Sequence, residues 1–365
     1  MSEIRNCSQA DLAAVAGLFQ KTFRDRSRPV PPSIAGYLEE AFLGHPWYDP
    51  EIASRVHVDK TGRVTGFIGV FPGRLEHNGR QFRAAIAGTL MVESPEREPL
   101  AGAKLLRSVV KGPQDISISE TTNLISQRLW EPLGGKVAPL LSLDWFRIFK
   151  PAAAAVAMLA ERSARGGLLA TAARAADWIG GSWTRNTLQP GEASGRLLVN
   201  REPSDATFAA AVIELVKEID LRPAWEAGQV EWFLSQAARK ESYGAASRAI
   251  VSAPTGKPLG CYIYHGRPGG IGRVLQLLAG SRSVGTVIDV LFHEADQAGL
   301  AGIRGRCSAQ VTNALLTRKC IFLHRASTVI HTGDTELSEA VLSGGALITG
   351  LAGESWTRLI GDEFS

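Results

Sequence analysis

The sequence predicts an α/β fold of mixed sheet, organised as two domains. Three observations carry this. The chain has 365 residues, about two domains at roughly 150 residues each. One order of elements (strand, helix, helix, three strands, helix, strand, helix, strands) is legible twice along it. An Ala-rich segment beginning PAAAAVAMLAERSARGG separates the two occurrences, which sets a first domain at 1–150, a helical linker at 151–194 and a second domain at 195–365.

The first occurrence opens with a strand at Glu3–Asn6. Ser8 then acts as an N-cap, with Asp11 at the capping-box position, and Leu12, Val15, Leu18 and Phe19 recur at helical spacing. A short helix follows at Ser33–Leu43, then a polar, aromatic loop containing His45, Trp47 and Tyr48. Three β-like runs come next, at Ser54–Asp59, Arg63–Phe71 and Phe82–Val92, with turn signals at Thr61-Gly62 and Asn78-Gly79. Asn-Gly between apolar runs marks a hairpin, because both residues tolerate positive φ. A loop over Ser94–Pro99 leads into an amphipathic helix over Leu100–Val110. A strand at Asp115–Ser119, a helix over Thr122–Leu133 closed by Gly134, and a strand pair within Val137–Lys150 complete the domain.

The Ala-rich segment reads as a helical connection; Arg162, Arg165 and Arg174 along it also fit a membrane-surface helix. From Arg196 the order restarts: strand to Asn200, helices at Ser204–Lys217 and Val230–Ala238, and strands at Ala246–Ala253, Leu259–Tyr264 and Arg273–Ala279. Then come a helix at Val284–Ala298, a strand at Gly302–Arg306 and a helix at Ala309–Lys319. The glycine run Gly266–Gly272 stands between two strands and reads as a hairpin turn.

Composition excludes several classes. Hydrophobic residues at 45% and charged residues at 21% describe a globular chain, not a disordered one. A net charge of +4 is too small for a dedicated nucleic-acid binder. The four cysteines, Cys7, Cys261, Cys307 and Cys320, form no C-x-x-C pair and are expected to be buried, inert thiols. The seven histidines show no metal-ligand spacing, so no metal is expected. There is no G-x-S-x-G and no P-loop. The longest apolar run, Ala152–Ala160, is far short of the about twenty residues that span a bilayer. No signal-peptide pattern opens the chain, and a soluble, cytoplasmic protein is expected.

Residues 92–106, VESPEREPLAGAKLL, combine a strand end, a loop and a helix start. The N–H groups and dipole of a helix N-terminus suit a pyrophosphate, and small residues let it approach. Residues 123–135 read NLISQRLWEPLGG. Together with IRNCSQADLAAVAGLFQKTF at the start, these motifs resemble the GCN5-related N-acetyltransferase (GNAT) superfamily over about residues 3–149. Its acyl-CoA loop has the pattern Q/R-x-x-G-x-G/A, and its following helix the pattern N-x-x-A-x-x-L-Y-x-x-L-G-F. Arg97 takes the Q/R place and Gly102 the last small place, while Leu100 stands where the first Gly belongs. Asn123 matches the family's Asn, Trp130 replaces its Tyr and Gly135 its Phe. An indole donates a hydrogen bond but supplies no proton, so the family's usual acid is missing from this position.

The resemblance implies two acyl-CoA N-acyltransferase-like domains in tandem. It implies acetyl-CoA or another acyl-CoA as co-substrate, held by the backbone of Leu90, Met91 and Val92 as Ala87–Val92 splays from its neighbour, and by Arg97, Leu100, Ala101, Gly102, Ala103 and Asn123. The acyl group would pass by direct attack to an amine on a small molecule or peptide. Glu93 at the strand end and Glu120 after ISIS are the candidate bases. The second half keeps only Arg282 and Gly285 of the loop pattern and reads as a degenerate copy. Two other readings keep the fold: an aminoacyl transferase of the peptidoglycan type, which uses aminoacyl-tRNA, and a non-catalytic binding protein.

Overall fold

The structure is a computed structural model and describes residues 2–162 and 197–364. Most of the Ala-rich segment, with Arg165 and Arg174, lies outside the described residues. In chain order the elements are β1 (Glu3–Asn6), α1 (Leu12–Phe23), α2 (Pro32–Phe42), β2 (Arg55–Val58), β3 (Val64–His77), β4 (Arg80–Val92), α3 (Ala101–Val110), β5 (Ile116–Thr122), α4 (Leu124–Trp130), β6 (Lys136–Val137), β7 (Leu143–Ile148) and α5 (Pro151–Arg162). They continue with β8 (Leu198–Arg201), α6 (Asp205–Val216), β9 (Arg222–Pro223), α7 (Ala227–Ala238), β10 (Ala246–Ser252), β11 (Pro258–His265), β12 (Ile271–Ala279), α8 (Val284–Gln297), β13 (Gly302–Arg306), α9 (Ala309–Leu316), β14 (Ile321–His324), β15 (Ser327–Thr332) and α10 (Thr335–Leu342).

The chain divides into two compact units, and these are not the contiguous stretches 1–150 and 195–365. The first comprises residues 1–142, 220–224 and 326–365; the second comprises 143–219 and 225–325. Each is built on one mixed sheet. The first sheet has the order β1-β2-β3-β4-β5-β15-β6, with β9 also pairing β3. The second has the order β14-β7-β13-β12-β11-β10-β8. Each contains one parallel pair, β4 with β5 and β12 with β13, among antiparallel neighbours. The strand beside β5 is β15 and the strand beside β13 is β7. The expected strand pair within Val137–Lys150 is therefore not formed: β6 pairs β15, and β7 pairs β13 and β14. Strand periodicity identifies a strand but not its partner, and the pairing of β15 with β5 spans about two hundred residues of chain.

Local signals explain most first-unit elements. Ser8 Oγ donates to Asp11 Oδ2, and Asp11 in turn accepts the Ser8 N–H, closing the expected box ahead of α1. The β3–β4 hairpin turns at Asn78 (φ 50°) and Gly79 (φ 75°). The turn after α4 ends at Gly134 in the left-handed region (φ 87°). Residues 266–270 join β11 to its antiparallel neighbour β12, as a hairpin loop should. In the first unit, Leu105, Leu106 and Val109 of α3 pack with Ile68, Val70, Ala85 and Ala87 of the sheet. Phe42 stacks on Phe71, which meets Trp356. In the second unit Trp145 and Phe149 of the β7 region pack on Phe292 of α8.

Candidate functional site

The site grows from the way β4 and β5 separate. They pair in parallel only at Ala84–Ile86 with Ile116–Ile118. Beyond Ile86, β4 continues to Val92 against β3 alone, and β5 continues to Thr122. This is the splay expected for Ala87–Val92. A bulge bends β4 here: the β3–β4 register shifts between Phe67 and Gly69, and Thr89 sits at φ 53°. Nothing in the local sequence marks that bulge, since a threonine carries no preference for positive φ.

A cavity of about 250 Å³ opens along the splay, entirely within the first unit. The released part of β4 supplies Ala87, Gly88, Thr89 and Leu90; the end of β5 and the start of α4 supply Ser119, Thr121, Thr122, Asn123, Ser126 and Trp130. Helix α1 contributes Phe19, Phe23 and Arg24, and the C-terminal segment contributes Glu354, Leu359, Ile360 and Gly361. Asn123 is the N-cap of α4, its Oδ1 accepting the Ser126 N–H at 2.8 Å. Thr122 Oγ1 is buried and has no hydrogen-bond partner, so the wall holds an unmet hydroxyl. Trp130 is buried.

Glu354 is the residue that sequence reasoning missed. It is 1% exposed, and its Oε1 accepts the Thr121 hydroxyl at 2.6 Å. Its Oε2 lies so close over β4 that a β-carbon on Gly88 would overlap it. Glutamates 93 and 120, the expected bases, do not line the cavity. Glu93 is bound by Lys21 and Arg63, and the Lys21 ammonium, ahead of its other partners, lowers its carboxyl below the usual range. Glu120 is 2% exposed, and its carboxylate accepts the backbone N–H groups of Gly350, Glu354 and Ser355 at 2.8–3.0 Å. It thus anchors the turn that carries Glu354. His45 is buried beside Trp47 and Tyr48 and does not line the cavity either.

Of the expected cofactor residues, Leu90 and Asn123 line the cavity, while Met91 is buried in the sheet. Arg97 is exposed on the loop between β4 and α3, and Leu100 is 64% exposed. Ala101, Gly102 and Ala103 form the first turn of α3, which has no side-chain cap; the Ala101 N–H donates to the Glu98 carbonyl at 3.0 Å, and those of Gly102 and Ala103 have no intrahelical acceptor. A β-carbon on Gly102 would meet Leu129 and Val92 at ordinary contact distance, so small size there is a packing convenience. Glu98 in the same loop is turned inward, its Oε2 accepting the Thr65 hydroxyl at 2.9 Å, and Thr65 meets His57 at 2.8 Å.

In the second unit β12 and β13 also part, after Arg273–Arg304. Beside the helix start there, the Arg318 guanidinium reaches within 2.7 Å of a β-carbon built on Gly285 and makes two hydrogen bonds to Asp289. A second cavity of about 270 Å³ lies elsewhere in that unit. The buried Tyr262 hydroxyl donates to Glu294 within it, and burial raises the Tyr262 phenol well above its usual range. Among the described residues there is no His/Cys/Asp/Glu cluster able to hold a metal, and no helix long and apolar enough to cross a membrane.

The chain has the GNAT fold. GCN5-related N-acetyltransferases from Anabaena variabilis ATCC 29413 and Kribbella flavida match at TM-scores of 0.62 and 0.56, each with 12% identity. The matches cover 92% and 93% of this chain and 73% of each of theirs. The Saccharomyces cerevisiae N-myristoyltransferase, solved with bound myristoyl-CoA, matches at 0.52 with 14% identity over 91% of this chain and 79% of its own. No sequence-family model and no curated protein matches the chain.

Proposed function

We propose that the first unit is an acyl-CoA-dependent N-acyltransferase, transferring an acyl group, an acetyl group in the simplest case, to an amine by direct attack on the thioester. The observation that supports the reading is the parting of β4 from β5 beyond Ile86, which leaves Ala87–Leu90 open onto the cavity. An extended pantetheine arm pairs with such an edge as a strand would. The residues present fit an acyl-CoA: an open strand edge, the unmet Thr122 hydroxyl, and the uncapped α3 N-terminus for pyrophosphate. The co-substrate brings the activated thioester; the chain orients it and excludes water. Trp130 can hydrogen-bond but cannot protonate the departing thiolate. The second unit, which keeps only Arg282 and Gly285 of the loop pattern, contributes shape rather than a second co-substrate site.

Calorimetric titration with acetyl-CoA tests this. Saturable 1:1 binding is expected, and Arg97→Glu should weaken it about tenfold by placing an anion where the pyrophosphate passes. Absence of heat at millimolar acetyl-CoA would contradict the reading.

A further inference from the structure

We infer that Thr65 and Glu98 are positioning residues for the co-substrate: together they clasp the loop between β4 and α3 in the shape that receives the pyrophosphate. The inference rests on the acyl-CoA reading of the first unit and deepens it. Thr65 lies on β3 and holds both ends of the loop. Its carbonyl oxygen accepts the Glu93 N–H at 2.8 Å, where the loop leaves β4. Its hydroxyl donates to Glu98 Oε2 at 2.9 Å, where the loop turns into α3. Behind it stands His57 of β2, with Nδ1 2.8 Å from the same hydroxyl oxygen. Thr65 and His57 are buried, while Pro95, Glu96 and Arg97 between the two held ends are exposed.

Proton counting sets the direction of the chain. A threonine hydroxyl has one proton, and a carboxylate only accepts. The Thr65 proton therefore goes to Glu98, and His57 Nδ1 carries the hydrogen that it gives to Thr65. Glu98 is also held by its backbone. Its N–H donates to the Ser94 carbonyl at 3.0 Å, and its own carbonyl accepts the Ala101 N–H at 3.0 Å. The Thr65 bond thus ties the Ser94–Glu98 turn and the first residue of α3 to the sheet. The loop start has a separate anchor, since Glu93 pairs with Lys21 and Arg63. A loop already held in its binding shape loses less entropy when a ligand arrives. This gives Glu98 an effect opposite to its charge. A carboxylate near a pyrophosphate weakens binding by repulsion, yet through the clasp Glu98 strengthens it.

The experiment titrates acetyl-CoA by calorimetry into the unaltered protein, Thr65→Val, Thr65→Ser and Glu98→Ala, and follows hydrogen exchange of the loop in each protein before ligand is added. Thr65→Val keeps the side-chain shape and the backbone bond to Glu93 but removes the hydroxyl. It should raise the Kd for acetyl-CoA about tenfold and speed exchange of the Arg97 and Glu98 amides, which are bonded to Ser94. Thr65→Ser keeps the hydroxyl and should stay within about twofold of the unaltered affinity. Glu98→Ala should raise the Kd about fivefold although it removes a negative charge. Tighter binding by Glu98→Ala, a folded Thr65→Val that binds like the unaltered protein, or a Thr65→Ser as weak as Thr65→Val would each overturn the inference while the acyl-CoA reading stands. No binding by the unaltered protein would overturn that reading and the inference with it. Should Thr65→Val not fold, Glu98→Ala decides by its sign, since the Glu98 side chain is 30% exposed and its removal leaves the core intact.

Discussion

Glu354 and Gly88 occupy adjoining space: a β-carbon on residue 88 would overlap Glu354 Oε2. Residues 266 positions apart are thereby fitted to each other at the point where β4 leaves β5. Gly88→Ala must move the carboxylate or the strand. The expected outcome is a loss of about 100-fold in acyl transfer and about 1–3 kcal/mol in stability from overpacking. CoA release and denaturant unfolding measure the two. Unchanged activity in a folded Gly88→Ala protein would show that the carboxylate's position is immaterial.

Trp130 gives a second prediction. It is 2% exposed and lines the cavity where the family pattern places Tyr. Trp130→Tyr introduces a phenol able to protonate the leaving thiolate. We expect kcat to rise about tenfold, with a new alkaline limb near the ordinary phenol pKa of about 10. The smaller ring should cost about 1–2 kcal/mol in stability. A pH–rate profile that gains no alkaline limb would contradict this.

Acid stability is set in part by Asp11. The hydrogen-bonded Arg5 guanidinium, opposed by burial and helped by Ser8, holds its carboxyl down to about 2. A folded-state pKa below the unfolded value of about 3.9 adds stability that is complete above that value and is lost as pH falls toward 2. Asp11→Asn should therefore cost about 1–2 kcal/mol at pH 7 and almost nothing at pH 2. Urea unfolding at the two pH values checks it; an equal cost at both would contradict the ion pair's role.

The cysteines should be silent in the folded protein. Burial pushes the thiols of Cys7 and Cys320 up to about 12 and that of Cys307 to about 11, and raises Cys261 further. Cys320 is half-buried rather than buried, as was expected of all four. At pH 8 almost no thiolate is present to react. Titration with a thiol reagent at that pH should be slow in the native state and give four equivalents after denaturation. A rapid native equivalent would contradict the burial.

Legibility from sequence followed the range of each interaction. The Ser8–Asp11 box, the Asn78-Gly79 hairpin and the Gly134 cap are decided within a few residues, and each is where its residues predict. The splay of Ala87–Val92 followed from resemblance to a family pattern. The placement of β7 and β15 was not legible, because a strand reads the same whichever sheet receives it. Glu120 illustrates the same limit: it stands near the site in sequence, yet its carboxylate is spent on N–H groups about 230 residues onward. Glu354 belongs to no motif, and only the fold brings it to Gly88.

The central claim is that the open edge of β4 takes acyl-CoA. Hydrogen exchange read by mass spectrometry, with and without saturating acetyl-CoA, tests it most directly. The account predicts that the amides of residues 87–92 and of Gly102 and Ala103 at the start of α3 become protected. Exchange unchanged in both segments, with acetyl-CoA at about 100 times its dissociation constant, would contradict it.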